Sequence, residues 1–259
     1  MISSTSNSQV KNLIQLLNKP KARREQDVFV VEGIKMFLET PVDRLVKIYV
    51  SEKFISNPSG RESLGGFSYE VIRDDIFSHV SDTVNPQGIL AVVKRKETGI
   101  DEIIKNKGKN TFLILENLQD PGNLGTIMRT AEGAGVNGII MAGNTVDIYN
   151  PKVIRSTMGA IYRVPFMYTN DAEDVIMKLK KNNVLVAAAH LKGKRNYFNE
   201  DFNRSVAFII GNESNGISDK TADMADLLVK IPMEGMVESL NASVAASLLM
   251  YEAYRQKNA

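Results

Sequence analysis

Apolar positions recur along the chain with two different periods. In "QVKNLIQLLNK" (Gln9–Lys19), Leu13, Ile14, Leu16 and Leu17 crowd one side of a helix, and Pro20 follows its end. Short β-branched runs come next, "VFVVEG", "KIYVS" and "GILAVV", with "EGIKMFLE" and "RDDIFSHV" between them reading as helices. This is a small mixed α/β unit. From Thr111 onward strands and helices alternate strictly. The strand-like runs are "TFLILE", "GIIMAG", "VLVAAA", "VAFIIG" and "LLVKIP"; the helix-like runs are Leu124–Gly135, Pro151–Gly159, Ala172–Lys181 and Leu240–Gln256. Apolar runs without polar alternation suit strands buried on both faces, so the pattern predicts a parallel sheet covered by helices. Between the halves, "KRKETGIDEIIKNKGKN" is polar and charged, and the domain boundary is expected near residues 95–108. The expected domains are 1–98 and 109–259, with 99–108 as linker.

Composition narrows the class. The chain has 259 residues, of which 43% are hydrophobic, enough to build two cores without a metal or disulfide staple. It has no cysteine, which rules out disulfides and thiolate metal sites. No signal-peptide pattern opens it, and no apolar run approaches the roughly 18 residues of a membrane span, so a cytoplasmic protein is expected. A net charge of +2 says little, but its distribution says more. No acid precedes Glu25, whereas Lys11, Lys19, Lys21, Arg23 and Arg24 do. Such a stripe can track phosphates, or it can be a solvated helix end.

Ligands of open parallel sheets bind beyond the carboxyl ends of the strands. Three segments there carry unusual residues. In "ENLQDPGNLGTIMRTA", Asn123 can cap the following helix, Gly125 permits close backbone approach, and Arg129 sits among core-facing neighbours. In "FIIGNESNGIS", a buried strand ends at Gly211, and Glu213 and Gly216 shape a turn. In "IPMEGMVESLNASVAASLLMYEAYRQ", Ser239 is a good N-cap, with Asn241 and Ser243 in the first turn. Taken singly, each has a bland alternative: a surface ion pair, a tight turn, a simple cap.

Together, and in this order, the three segments resemble the motifs of the SpoU/TrmH family of RNA ribose 2′-O-methyltransferases, within the SPOUT group. The resemblance covers Thr111–Gln256. The first half looks like the family's N-terminal RNA-binding extension, similar in shape to small ribosomal proteins, through "KARREQDVFVVEG" and "PQGILAVV". The resemblance implies a C-terminal parallel-sheet domain with a deep trefoil knot and S-adenosylmethionine as cofactor. It implies main-chain cofactor contacts from Gly211, Ile231 and Leu240, with Pro232 and Met233 lining the adenine pocket. It places Asn123, Arg129, Glu213, Ser239 and Asn241 at the methyl-transfer centre. On this reading Lys19, Lys21, Arg23 and Arg24 contact RNA, ribosomal RNA ahead of transfer RNA.

A methyl on a sulfonium is already activated, so the protein must align the acceptor and manage its proton. Only His79 and His190 exist, and neither lies in a motif. A guanidinium with a pKa above about 12 is a poor base, so Arg129 is expected to clamp ribose and phosphate and stabilise the developing alkoxide. No metal is expected, because no His/Asp/Glu cluster has ligand spacing. A homodimer is expected, since Val244, Leu248, Tyr251 and Tyr254 lie on more than one face of the last helix. The alternatives are a SPOUT base methyltransferase and a non-catalytic RNA-binding assembly factor.

Overall fold

The computed structural model describes all 259 residues and falls into two compact units. One is Met1–Lys96 with Asp147–Tyr162; the other is Glu97–Val146 with Arg163–Ala259. The segment 147–162 therefore folds with the first unit although its sequence neighbours belong to the second. No helix is long and apolar enough to cross a membrane.

The first unit opens with helices α1 (Ser8–Asn18) and α2 (Pro20–Gln26). Then come strand β1 (Val28–Glu32), α3 (Ile34–Leu38), β2 (Leu45–Ser51), α4 (Glu52–Ser56), α5 (Pro58–Ser63), β3 (Glu70–Ile72), α6 (Asp74–Val80) and β4 (Ile89–Lys94). The strands form one sheet in the order β1-β4-β2-β3, with β2 and β3 parallel and the other pairs antiparallel. Val10, Leu13, Leu16 and Leu17 of α1 pack into a core with Val30, Tyr49 and Leu90. Pro20 ends one helix and begins the next: its fixed φ and missing N–H suit the first position of α2.

That second helix corrects the reading of Arg23. α2 turns Ala22 and Arg23 inward and leaves Lys21 and Arg24 outside, and the Arg23 side chain is only 2% exposed. Its Nε and Nη2 donate to Asp147 Oδ2 at 3.0 and 2.7 Å, and its Nη1 donates to the carbonyls of Leu16 and Leu17 at 2.6 and 3.1 Å. Those carbonyls end α1 and would otherwise lack partners. Arg23 thus closes a helix end and anchors the segment 147–162, and it is not available to a phosphate. Lys19, Lys21 and Arg24 remain exposed. The same segment is held elsewhere. The Tyr149 hydroxyl donates to Lys96 O and accepts from Lys96 N, both at 3.0 Å, and the Tyr149 ring lies 4.8 Å from that of Phe29.

The second unit begins at Glu97, two residues before the expected linker, and takes the whole of that linker into its fold. Its helix α7 (Ile100–Ile104) buries Ile100 and Ile103, and Gly138 makes room for the latter: a Cβ there would lie 2.4 Å from Ile103 Cγ2. The chain continues as β5 (Thr111–Glu116), α8 (Pro121–Gly133) and β6 (Gly138–Ala142), then α9 (Pro151–Thr157) in the first unit. Next are β7 (Phe166–Thr169), α10 (Ala172–Lys181), β8 (Leu185–Ala189), β9 (Arg195–Asn196), β10 (Val206–Ile210), α11 (Asp219–Asp223), β11 (Leu227–Lys230) and α12 (Ala242–Lys257). All seven strands are parallel, in the order β7-β6-β5-β10-β8-β11-β9. β5, β6 and β10 are buried along their whole length, as their unbroken apolar runs require. Strand β11 enters between β8 and β9, so the loop joining those two must cross it. Gly193 marks the crossing: a Cβ there would stand 2.6 Å from the Val229 carbonyl carbon. The knot implied by the resemblance needs a crossing of this kind, which ordinary sheets avoid.

Removing one partner of a buried ion pair leaves the other uncompensated, at about 3–5 kcal/mol. Arg23→Met should therefore lower unfolding free energy by about 3 kcal/mol in urea titration, whereas Lys21→Ala should stay within about 0.5 kcal/mol. Equal, small effects of both would show that Arg23 is not the anchor described.

Candidate active site

Parallel pairing sets the carboxyl ends of β5, β10, β8 and β11 along one rim, and the three motif segments leave from it. Buried Glu116, the last residue of β5, accepts from Ser218 N (3.0 Å), Ser218 Oγ (2.7 Å) and Thr221 Oγ1 (2.8 Å). The next residue, Asn117, turns left-handed, with φ 53°. Its carbonyl accepts from Asn212 Nδ2 at 2.9 Å, and its Oδ1 accepts from Asn144 N at 2.9 Å. The ends of β5 and β10 are thereby laced together. Gly211 is obligatory: a Cβ would meet the Gly216 carbonyl carbon at 2.2 Å. Beyond it Asn212 closes a tight turn, its Oδ1 accepting from Ser214 N and Asn215 N at 3.0 Å.

Helix α8 starts earlier than the apolar pattern indicated. Asp120 is its N-cap, accepting from Asn123 N at 2.7 Å, and Pro121 takes the first helical position. Asn123 is therefore not the cap, and its buried side chain is free for another task. Its Nδ2 donates to Glu213 Oε1 at 3.0 Å, and its Oδ1 accepts from Asn241 Nδ2 at 2.9 Å. Asn241, not Ser239, caps α12, its Oδ1 accepting from Ser243 N at 2.9 Å and Ser243 Oγ at 2.7 Å. The result is a continuous relay, Glu213–Asn123–Asn241–Ser243, through all three motif segments. Glu213 also accepts from Gln119 N (3.1 Å) and Asp120 N (3.0 Å). Burial pushes its carboxyl pKa up, but the bonds from Asn123, Asp120 and Gln119 outweigh burial and hold it below the ordinary value.

Arg129 lies further along α8, exposed, between buried Met128 and half-buried Thr130, and its guanidinium has no acid or carbonyl partner. The Ser239 hydroxyl is likewise exposed and unbonded. From Ile231 to Leu240 the main chain makes no hydrogen bond, while Ile231, Met233 and Leu240 are half-buried and Pro232 is exposed. A cavity of about 850 Å³ is walled by Asn117, Asp120, Asn144, Asn212 and Glu213 among others. Gly211, Ile231, Pro232, Met233 and Leu240 are not on its wall. His79 is exposed, and His190 Nδ1 accepts from Lys192 N at 3.1 Å; neither joins the relay. Sequence reasoning missed Glu116, Asn117, Asp120 and Asn212. The signal was present for the asparagines: Asn117 directly follows β5 and Asn212 follows β10 after Gly211, where left-handed and side-chain-bonded turns favour that residue.

A model of the SpoU rRNA methylase family matches residues 110–251, and one of the MRM3-like substrate binding domain matches residues 7–91. The chain is similar to the 23S rRNA (guanosine(2553)-2′-O)-methyltransferase RlmP of Bacillus subtilis: 32% identical over 253 residues, covering 96% of this chain and 97% of that one. The crystal structure of the SpoU methyltransferase AviRb from Streptomyces viridochromogenes, in complex with AdoMet, superposes with a TM-score of 0.87. It is 26% identical and covers 98% of this chain and 99% of that one. An AdoMet-bound rRNA methyltransferase from Sinorhizobium meliloti gives a TM-score of 0.83 at 29% identity, covering 98% and 97%.

A carboxyl whose folded pKa is depressed stabilises the fold above its unfolded pKa, and that contribution is lost as pH falls through the folded value. Glu213→Gln should therefore melt below the wild type at neutral pH, and the two should converge once the solution is acidified past the ordinary glutamate range. A gap in Tm that persisted unchanged well below that range would contradict an anionic brace.

Proposed function

The chain belongs to the SpoU rRNA methylase family and is an S-adenosylmethionine-dependent RNA ribose 2′-O-methyltransferase; we propose that its substrate is structured ribosomal RNA, gripped by the first unit and methylated at the rim around Glu213. The observation that carries this site assignment is the Glu213–Asn123–Asn241 relay, which joins the three motif segments through bonds of 2.9–3.0 Å. Ribosomal RNA is preferred to transfer RNA because the full-length relative acts on 23S rRNA and because residues 7–91 match a substrate-binding domain. Exposed Lys19, Lys21 and Arg24 would supply phosphate contacts there. From an RNA substrate of this kind we infer a cytoplasmic location.

The residues present fit the cofactor. Ile231–Leu240 offers unpaired main-chain donors and acceptors beside half-buried apolar side chains, which suits a neutral adenosine. Gly211, Ile231 and Leu240 would hold it through main-chain groups, with Pro232 and Met233 flanking the adenine. When bound, S-adenosylmethionine supplies a methyl group on a sulfonium, an activated donor. Glu213 accepts three hydrogen bonds that favour its anionic form, so its assigned role is to organise the site, not to take up a proton. Asn123 and Asn241 spend their side chains on the relay and set the distance between the segments. Arg129, bound to nothing, is free to clamp ribose and phosphate and to stabilise the alkoxide oxygen. The Ser239 hydroxyl is free to meet the ligand.

Two copies are proposed to associate through α12 and the loop before it. Met236 and Val237 are 101% and 62% exposed, and Val244, Tyr251 and Tyr254 are exposed at i, i+7 and i+10 on one face of α12, not on the several faces expected. Sedimentation at micromolar concentration should give a species of twice 28.7 kDa, and a monomer alone would refute the pairing.

Labelled S-adenosylmethionine and an unmodified large-subunit ribosomal RNA transcript test the reaction. The label should appear in an alkali-resistant dinucleotide, because a 2′-O-methyl blocks cleavage at that ribose. Arg129→Lys should cut the rate by about 10² while calorimetric cofactor binding holds, since one lost transition-state donor costs that much. Label in a base-modified mononucleotide would favour a base methyltransferase, and a near-normal rate for the lysine variant would exclude planar clamping.

A further inference from the structure

Three of the loops on the rim hold the residues described above. The fourth, which follows β8, has no part in that scheme and is built differently. Its backbone is pinned. His190 N donates to Val229 O at 2.9 Å, Gly193 N to His190 O at 2.9 Å, and Arg195 stands opposite Val229 in the β9–β11 ladder. Gly193 packs directly on the Val229–Lys230 peptide. Its side chains are not pinned. Lys192 and Lys194 are exposed and pair with no acid. Arg195 is 73% exposed, with its nearest carboxylate, Glu200, at 3.7 Å. Phe198 stacks edge-on against Tyr197, with 5.3 Å between ring centroids, and is 47% exposed.

A hydrogen-bonded turn that carries solvated cations beside an open aromatic face has the chemistry that binds single-stranded nucleic acid. The cations follow the phosphates, and a base stacks on the ring. The place agrees with the chemistry. Because β8 and β10 are parallel and adjacent, this loop leaves the same end of the sheet as Gly211 and Glu213. A ribose brought to that rim must bring its flanking phosphates with it.

We propose that the loop from Leu191 to Phe198 is a second grip on the substrate RNA. Lys192, Lys194 and Arg195 hold the backbone of the strand, and one unpaired base stacks on Phe198, beside the ribose to be methylated. The inference rests on the RNA methyltransferase reading above. It divides the work: the first unit recognises the folded RNA, and this loop fixes the single strand where reaction occurs.

The test uses the full-length protein with Lys192→Glu and Lys194→Glu combined, and separately Phe198→Ala. Binding of the unmodified large-subunit ribosomal RNA transcript is measured over a range of salt, and S-adenosylmethionine binding is measured by calorimetry. The double variant should bind RNA roughly tenfold more weakly at about 0.15 M salt, and its log–log salt slope should be shallower by roughly 1.5, as for two lost phosphate contacts. Phe198→Ala should weaken binding severalfold with the slope unchanged, and both variants should keep cofactor affinity within about twofold. Unchanged RNA affinity and slope would overturn the proposal. So would a parallel loss of cofactor affinity, which would assign the loop to the adenosine pocket. If wild type binds the transcript without methylating it, the choice of ribosomal RNA falls while the loop remains testable by the same slopes. If wild type does not bind it, the RNA reading itself fails and takes the loop with it.

Discussion

The site depends on a single side-chain amide being satisfied at both ends. Asn123 is buried in the first turn of α8, where an unbonded amide would cost about 1–3 kcal/mol. Glu213 satisfies its N–H and Asn241 donates to its carbonyl, so three segments far apart in sequence are held at hydrogen-bonding distance. Each partner is fixed in turn. Glu213 takes two main-chain N–H groups at the start of α8, and Asn241 is the cap of α12. On the site assignment proposed above, the geometry of methyl transfer would be inherited from helix capping and strand ends. Arg129 and Ser239 make no bond within the chain, which is what leaves them available for the roles proposed above.

A second constraint acts through Arg23. A guanidinium in the hydrocarbon interior is tolerable only when every donor face is used, and here Asp147 and two helix-end carbonyls use them. The consequence is architectural. The segment 147–162 leaves the catalytic half of the sequence, packs with the first unit, and returns. Cutting the chain after residue 100 would strip that segment of its packing, so point variants, not truncation, separate RNA binding from catalysis.

Much of the fold was legible. Unbroken apolar runs located β5, β6, β8, β10 and β11 and implied that they run parallel; their order across the sheet was not legible. β3, β7 and β9 were missed because two to four residues carry no periodicity, and their partners stabilise them. The caps were misplaced for a related reason. Ser239 and Asn123 are good caps by residue type, but Pro121 at a helix start favours Asp120, and the connection of Ser239 to α12 is set by the loop geometry. Charge pattern grouped Arg23 with its exposed neighbours, since a stripe in sequence cannot show which side chain a short helix turns inward. The motif residues themselves were legible as a set. The relay joining them was not, because it is formed by contacts across 90 and 118 positions.

The most direct measurement of this account is a double-mutant cycle on methyl transfer with Asn123→Ala and Asn241→Ala, using kcat/KM for RNA. If one relay positions the site, either substitution removes most of what both remove, and the two should couple by roughly 0.5–3 kcal/mol. Additive effects, with the double variant losing the full sum of the single losses, would contradict it.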